Sequence, residues 1–219
     1  MTWIKICGTT NLEDALIAVD AGADAVGFVF YEKSPRFVTV EKAREICRKL
    51  PNSVEKVGVF VGRHAAEMAL AAGLDAMQSY IAIDPATTGL EQNSPEFSKL
   101  RKYLAISYPS VLNIVFPEQR GELRADAWFI DSGNSQSPGG TGETFNWREA
   151  VPAVERLSQQ THVVIAGGLK PENVGEVIEV LKPWGVDVVS GVEASPGKKD
   201  PVKVREFVRA VREADQKVG

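Results

Sequence analysis

Eight short runs of β-branched and apolar residues alternate with helical patterns from one end of this 219-residue chain to the other. The candidate strands are Trp3–Cys7, Ala25–Phe30, Lys56–Val61, Asp75–Tyr80, Tyr103–Tyr108, Ala127–Asp131, Val163–Ala166 and Asp187–Val189. Continuous apolar runs such as Val26-Gly27-Phe28-Val29-Phe30 suit parallel strands buried on both faces. Between them, Asn11–Ala21 carries Leu12, Ala15, Leu16 and Val19 on one helical face. Thr39 is placed to cap a helix over Val40–Lys49, with Glu41 in its first turn. Pro171 and Pro201 stand where a first helical residue would be, with Asp200 as the cap of the last helix. Gly22 and Gly73 follow helical patterns as terminating residues do. The stretch 81–126 is the least regular: Glu96–Lys102 supports one short helix. Pro109, Pro117 and Gly121 exclude a long helix from 109–126. Unbroken β/α alternation predicts an α/β chain folded as one (β/α)8 barrel domain over residues 1–219, with one outer helix short or replaced by a loop. An open doubly wound sheet would usually carry GxGxxG after its first strand, whereas this chain has Cys7-Gly8-Thr9-Thr10.

In a barrel, function sits on the loops that follow the strands. Two glycine turns follow strands seven and eight, Gly167-Gly168 and Ser190-Gly191, where a phosphate site is often built from backbone N–H groups. Strand alternation puts Lys5 and Cys7 on one side of the first strand, and Phe129 and Asp131 on one side of the sixth. If those sides face the interior, Cys7 and Asp131 meet across the mouth as a base and an acid. A buried lysine beside the thiol is expected to lower its pKa. Arg36, in Ser34-Pro35-Arg36-Phe37 after strand two, is suited to a bidentate contact with a substrate carboxylate. The loop from Gly133 to Glu143, with Gly139-Gly140-Thr141-Gly142, is long and small-residue-rich enough to cover a ligand. His162, at the opposite end of its strand, reads as structural, His64 as a surface residue and Cys47 as packing. Trp128 and Trp184 read as core or rim.

The net charge of −4 argues against a nucleic-acid or anionic-membrane partner. Two cysteines without a CxxC read as reduced thiols in a cytoplasmic protein. No apolar stretch is long enough for a membrane span, and no His/Cys/Asp cluster has metal-ligand spacing.

Taken in order, Lys5-Ile6-Cys7-Gly8, Gly27-Phe28-Val29-Phe30, Ser34-Pro35-Arg36 and Val57–Val61 form one pattern. It continues with Asp131, Gly139–Gly142, Phe145-Asn146-Trp147, Ala166–Leu169 and Pro171–Val174, and ends with Gly185–Asp187, Ser190–Glu193 and Lys199-Asp200. Together they resemble phosphoribosylanthranilate isomerase, a family of the tryptophan pathway. The resemblance implies a (β/α)8 fold and an Amadori rearrangement with no metal or cofactor. It implies Asp131 as general acid and Cys7, as thiolate, as base. Arg36 would hold the anthranilate carboxylate, and the late glycine turns the phosphate. The implied substrate-binding set is Lys5, Arg36, Gln78, Gly140, Gly142, Gly167, Gly168, Asp187, Ser190 and Gly191. The expected partner is the small phosphoribosyl substrate, with a monomer or homodimer as assembly. The chain departs from the family at Gln78-Ser79-Tyr80-Ile81, where Gln-Leu-His-Gly is usual, and at Thr9, where an aliphatic residue is more common. A histidine-pathway isomerase or an indole-glycerol-phosphate synthase would place a carboxylate or lysine where Cys7 stands. A silent sugar-phosphate-binding barrel finds support only in the altered end of strand four.

Overall fold

In a computed structural model of the chain, residues 1–61, 65–80, 97–112, 125–133 and 144–218 are described. The strands β1 (Trp3–Ile6), β2 (Ala25–Val29), β3 (Glu55–Phe60), β4 (Ala76–Tyr80), β5 (Arg101–Ser107), β6 (Ala127–Asp131), β7 (His162–Ile165) and β8 (Gly185–Val188) close into a parallel barrel in chain order. Closure is made by β1 on β8, with Lys5 level with Asp187. The expected strands are all present, shifted by one or two residues at their ends.

The helices follow the capping chemistry. For α1 (Leu12–Ala21), Asn11 Oδ1 accepts from the Asp14 N–H at 2.8 Å, and Gly22 ends the helix in the left-handed region at φ 93°. For α2 (Val40–Cys47), Thr39 Oγ1 accepts from the Lys42 N–H. Then come α3 (Ala65–Ala72), α4 (Tyr108–Val111), α5 (Trp147–Ser158), α6 (Val174–Leu181) and α7 (Pro201–Val218). α4 is a single turn with Pro109 in it; Pro117 and Gly121 lie outside the described residues. Two expectations fail. Pro171 lies in a turn, and α6 starts three residues later behind Asn173, whose side chain accepts from the Lys170 N–H and donates to the Gly168 carbonyl. Of the expected Glu96–Lys102 helix, Glu96 lies outside the described residues, Phe97–Lys99 is a 3-10 turn, and Arg101 and Lys102 are drawn into β5 by pairing with β4.

Alternation along the strands divides the core in two. Ile4, Ile6, Phe28, Ile130 and Val163 point outward beneath the helices. Ala25, Val57, Ala76, Tyr103, Ala105, Ala127, Phe129 and Val164 fill the barrel, with Trp3 and Trp184 packed against them. Trp184 stacks between Trp3, at 5.0 Å, and His162, at 4.3 Å. Tyr103 donates to Glu55 at 2.6 Å on the same end. Each fully buried large apolar side chain contributes roughly 1.5–3 kcal/mol, so this end is a stable plug. At the other end the interior holds Lys5, Gln78 and Asp187. His162 and Trp184 thus have the structural places expected of them, and Cys47 and Trp128 are buried.

Candidate active site

Above Phe129 the barrel interior turns polar. Lys5 is wholly buried, its Nζ 5.1 Å from the centroid of the Phe129 ring. It donates to Gln78 Oε1 and Asp187 Oδ1, each at 3.0 Å. An unpaired ammonium there would be prohibitively costly; the carboxylate makes it tolerable. Burial alone would lower the Lys5 pKa, but Asp187 and the neighbouring Cys7 together hold it above the ordinary lysine value. Because a lysine only donates, Gln78 must turn its carbonyl oxygen down to it, directing its amide NH2 away.

Cys7 follows β1 on the same side as Lys5. Both converge on a space that Gly27 leaves open: a Cβ there would lie 2.5 Å from Cys7 Sγ and 3.0 Å from Lys5 Cε. The Cys7 N–H donates to the Val188 carbonyl at 2.9 Å, which locks the residue to β8. The electrostatics correct one expectation. Lys5 does pull the thiol pKa down, but burial is the larger effect, and Asp187 adds to it; the thiol sits above its ordinary value. A cation neighbour is visible in sequence spacing, whereas the depth of burial is not.

Asp131 ends β6, three strands from β1 around the barrel, and is buried. Its Oδ1 accepts from the Gly133 N–H at 2.8 Å. The loops that follow β6, β7 and β8 are drawn together by glycines. A Cβ on Gly167, at φ 84°, would lie 2.2 Å from Ser132 Oγ, and one on Gly191 would lie 1.9 Å from the Leu169 carbonyl oxygen. Gly168 is also left-handed, at φ 64°. Ser190 and Gly191 belong to a short 3-10 turn, Ser190–Val192. The two glycine turns therefore share one corner of the mouth, beside Asp131.

Arg36 reaches the same rim from the loop after β2. Its stem crosses Gly8, where a Cβ would lie 2.7 Å from Arg36 Cδ. Its Nε and Nη2 donate to the two carboxylate oxygens of Glu193 at 2.9 and 2.7 Å. That bidentate bond, the largest influence on it, raises the Arg36 pKa. Lys5, Cys7, Gln78, Asp187, Arg36, Asp131, Gly167, Gly168, Ser190 and Gly191 thus stand at or near the C-terminal ends of the strands. Gly140, Gly142 and His64 lie outside the described residues. Sequence reading gave no role to Glu193, Lys199, Gly8 or Gly27. Glu193 and Lys199 stood out only as charged members of a motif, since nothing in a sequence marks a lysine as buried.

A family model described as N-(5'phosphoribosyl)anthranilate (PRA) isomerase matches residues 4–210. The chain is 44% identical over 216 residues to an N-(5'-phosphoribosyl)anthranilate isomerase of Pelobacter propionicus, covering 97% of each chain. Among solved structures, it is 34% identical to a phosphoribosylanthranilate isomerase crystallised with reduced 1-(o-carboxyphenylamino)-1-deoxyribulose 5-phosphate. The TM-score is 0.75, covering 97% of this chain and 100% of that one. It is 35% identical, with a TM-score of 0.76 and coverage of 97% and 100%, to the Thermotoga maritima enzyme, described as dimeric and solved as generated monomers.

Proposed function

This chain belongs to the N-(5'-phosphoribosyl)anthranilate isomerase family, and on that premise we propose that Cys7 and Asp131 carry the Amadori rearrangement at the mouth of its barrel. The activity converts N-(5'-phosphoribosyl)anthranilate into 1-(2-carboxyphenylamino)-1-deoxyribulose 5-phosphate, a step of tryptophan biosynthesis. The observation that carries the assignment is the convergence of Cys7 Sγ and Lys5 on the space at Gly27, one strand from the turn that packs Gly191 on Leu169.

Asp131 gives a proton to the ribose ring oxygen. The C1′–O bond breaks, and the anilino nitrogen lone pair forms a Schiff base at C1′. Cys7, as thiolate, takes the C2′ proton; those electrons form the C1′–C2′ double bond and return the imine pair to nitrogen. The enolamine then loses its 2′-hydroxyl proton and gains one at C1′. One proton has left Asp131 and one has reached Cys7, so a proton must pass back before the next turnover. The reactive thiolate and carboxylic acid bind one proton between them. Lys5 favours the thiolate member of this pair.

Arg36 clamps the anthranilate carboxylate, the Gly167-Gly168 and Ser190-Gly191 turns hold the phosphate, Gly140 and Gly142 belong to the loop that covers the substrate, and Gln78 and Asp187 line the pocket between. The reading carries with it a cytoplasmic enzyme working as a monomer or homodimer. Its test is direct: freshly prepared phosphoribosylanthranilate fluoresces, and the protein should abolish that fluorescence catalytically. Folded protein without turnover would sink the reading.

A further inference from the structure

After β8 the chain makes a two-stranded hairpin, β9 (Glu193–Ser195) and β10 (Lys198–Lys199), before α7. Two of its charges are turned inward. Lys199 is 1% exposed, and its three N–H groups go to the Cys7 carbonyl at 2.6 Å, the Val189 carbonyl at 3.2 Å and Glu193 Oε1 at 3.3 Å. Glu193 is also buried; besides Lys199 and Arg36, it accepts from the Gly197 N–H at 3.2 Å. The hairpin is tied to the loop that carries the thiol. Thr10 Oγ1 donates to the Gly197 carbonyl at 2.6 Å, and the Lys199 N–H donates to Asp14 Oδ2 at 2.8 Å.

Desolvating a lysine and a glutamate is unfavourable, and a hairpin made only to reach α7 needs neither. What the pair does accomplish is geometric. An arginine has many rotamers, but a fork bonded through Nε and Nη2 is held in one plane. That plane presents its remaining edge, at Nη1, in a fixed direction. The same glutamate is bonded to the ammonium that holds the carbonyl of Cys7.

We propose that Glu193 and Lys199 are positioning residues of this site, joining the Arg36 guanidinium and the Cys7 backbone in one rigid frame. The substrate's carboxylate is thereby held at a fixed offset from the thiol that takes its C2′ proton. This rests on the reading of Arg36 as the carboxylate clamp.

The experiment compares two substrates made from ribose 5-phosphate: the anthranilate adduct, and the aniline adduct, which lacks the carboxylate. Glu193→Gln should raise KM for the anthranilate adduct about tenfold and leave the aniline adduct within about twofold. Glu193→Gln combined with Arg36→Ala should be no worse than Arg36→Ala alone. Lys199→Met, or Lys199→Gln should the first not fold, should lower kcat about tenfold on both adducts. A Glu193→Gln loss equal on both adducts, or additive with Arg36→Ala, overturns the Glu193 role, and an unchanged kcat at Lys199 overturns its role. If Arg36→Ala itself fails to distinguish the adducts, the carboxylate clamp falls, and the proposal with it. A wild type inactive on both would instead strike the reading of the function.

Discussion

Cys7 has opposing neighbours, and their balance can be measured. Burial raises its pKa, Lys5 and Lys199 lower it, and Asp187 raises it. A thiol shifted upward has less thiolate at any given pH. Ultraviolet thiolate absorbance, taken as wild type minus Cys7→Ala, should therefore show a midpoint above the ordinary thiol value of about 8.5. Lys5→Met should move that midpoint higher still; a midpoint below the ordinary value in the wild type would reverse the ranking of burial over charge. Gly27 is buried against the same thiol. A methyl group there meets Sγ at 2.5 Å, and the thiol must give way. Because a misplacement near 1 Å costs about 10²-fold in rate, Gly27→Ala should lose roughly that much kcat while keeping its fold by circular dichroism. Thr9, the small departure from the family pattern, is fully buried, and its hydroxyl has no hydrogen-bond partner among the described residues. Thr9→Val should raise stability by about 1 kcal/mol in urea unfolding.

At the scale of elements, glycines decide how the loops meet. The backbone of Gly191 lies against the Leu169 carbonyl oxygen, so Gly191→Ala must push two turns apart. A loss of about 1–3 kcal/mol in stability is expected, together with a raised KM. Denaturant midpoints and KM measured on one preparation would check both. Strands were legible because a parallel barrel needs apolar runs, and caps were legible because Asn11 and Thr39 carry the hydrogen-bond chemistry locally. Pro171 misled because the helix starts behind Asn173, whose side chain makes no cap bond and instead ties the turn back to Lys170 and Gly168. The hairpin β9–β10 was invisible for a related reason. Its value lies in contacts to Asp14, Cys7 and Arg36, far away in sequence.

For the whole molecule, the barrel and the place of most site residues could be read from alternation alone, since period-two strands in β/α order fix both. The energetic balance at the centre could not, because it depends on burial from every strand at once. Burial beneath the outer helices predicts alkaline sensitivity. Burial raises the Cys47 thiol to about 12. Unfolded, a thiol ionises near about 8.5. Between those values the unfolded chain releases a proton that the folded chain keeps, so stability falls as pH rises. The thermal midpoint should decline from about pH 8.5 upward, and less steeply in Cys47→Ala; an equal slope in both would remove Cys47 from the explanation. No helix among the described residues is long and apolar enough to cross a membrane.

The proposed reaction divides its proton transfers between one thiol and one carboxyl. Its sharpest test is kcat/KM on freshly made phosphoribosylanthranilate for Cys7→Ala and Asp131→Ala, with binding of the reduced product analogue measured alongside. Each variant should lose about 10²- to 10⁴-fold in rate and still bind the analogue. Wild-type rates in either one would contradict the account.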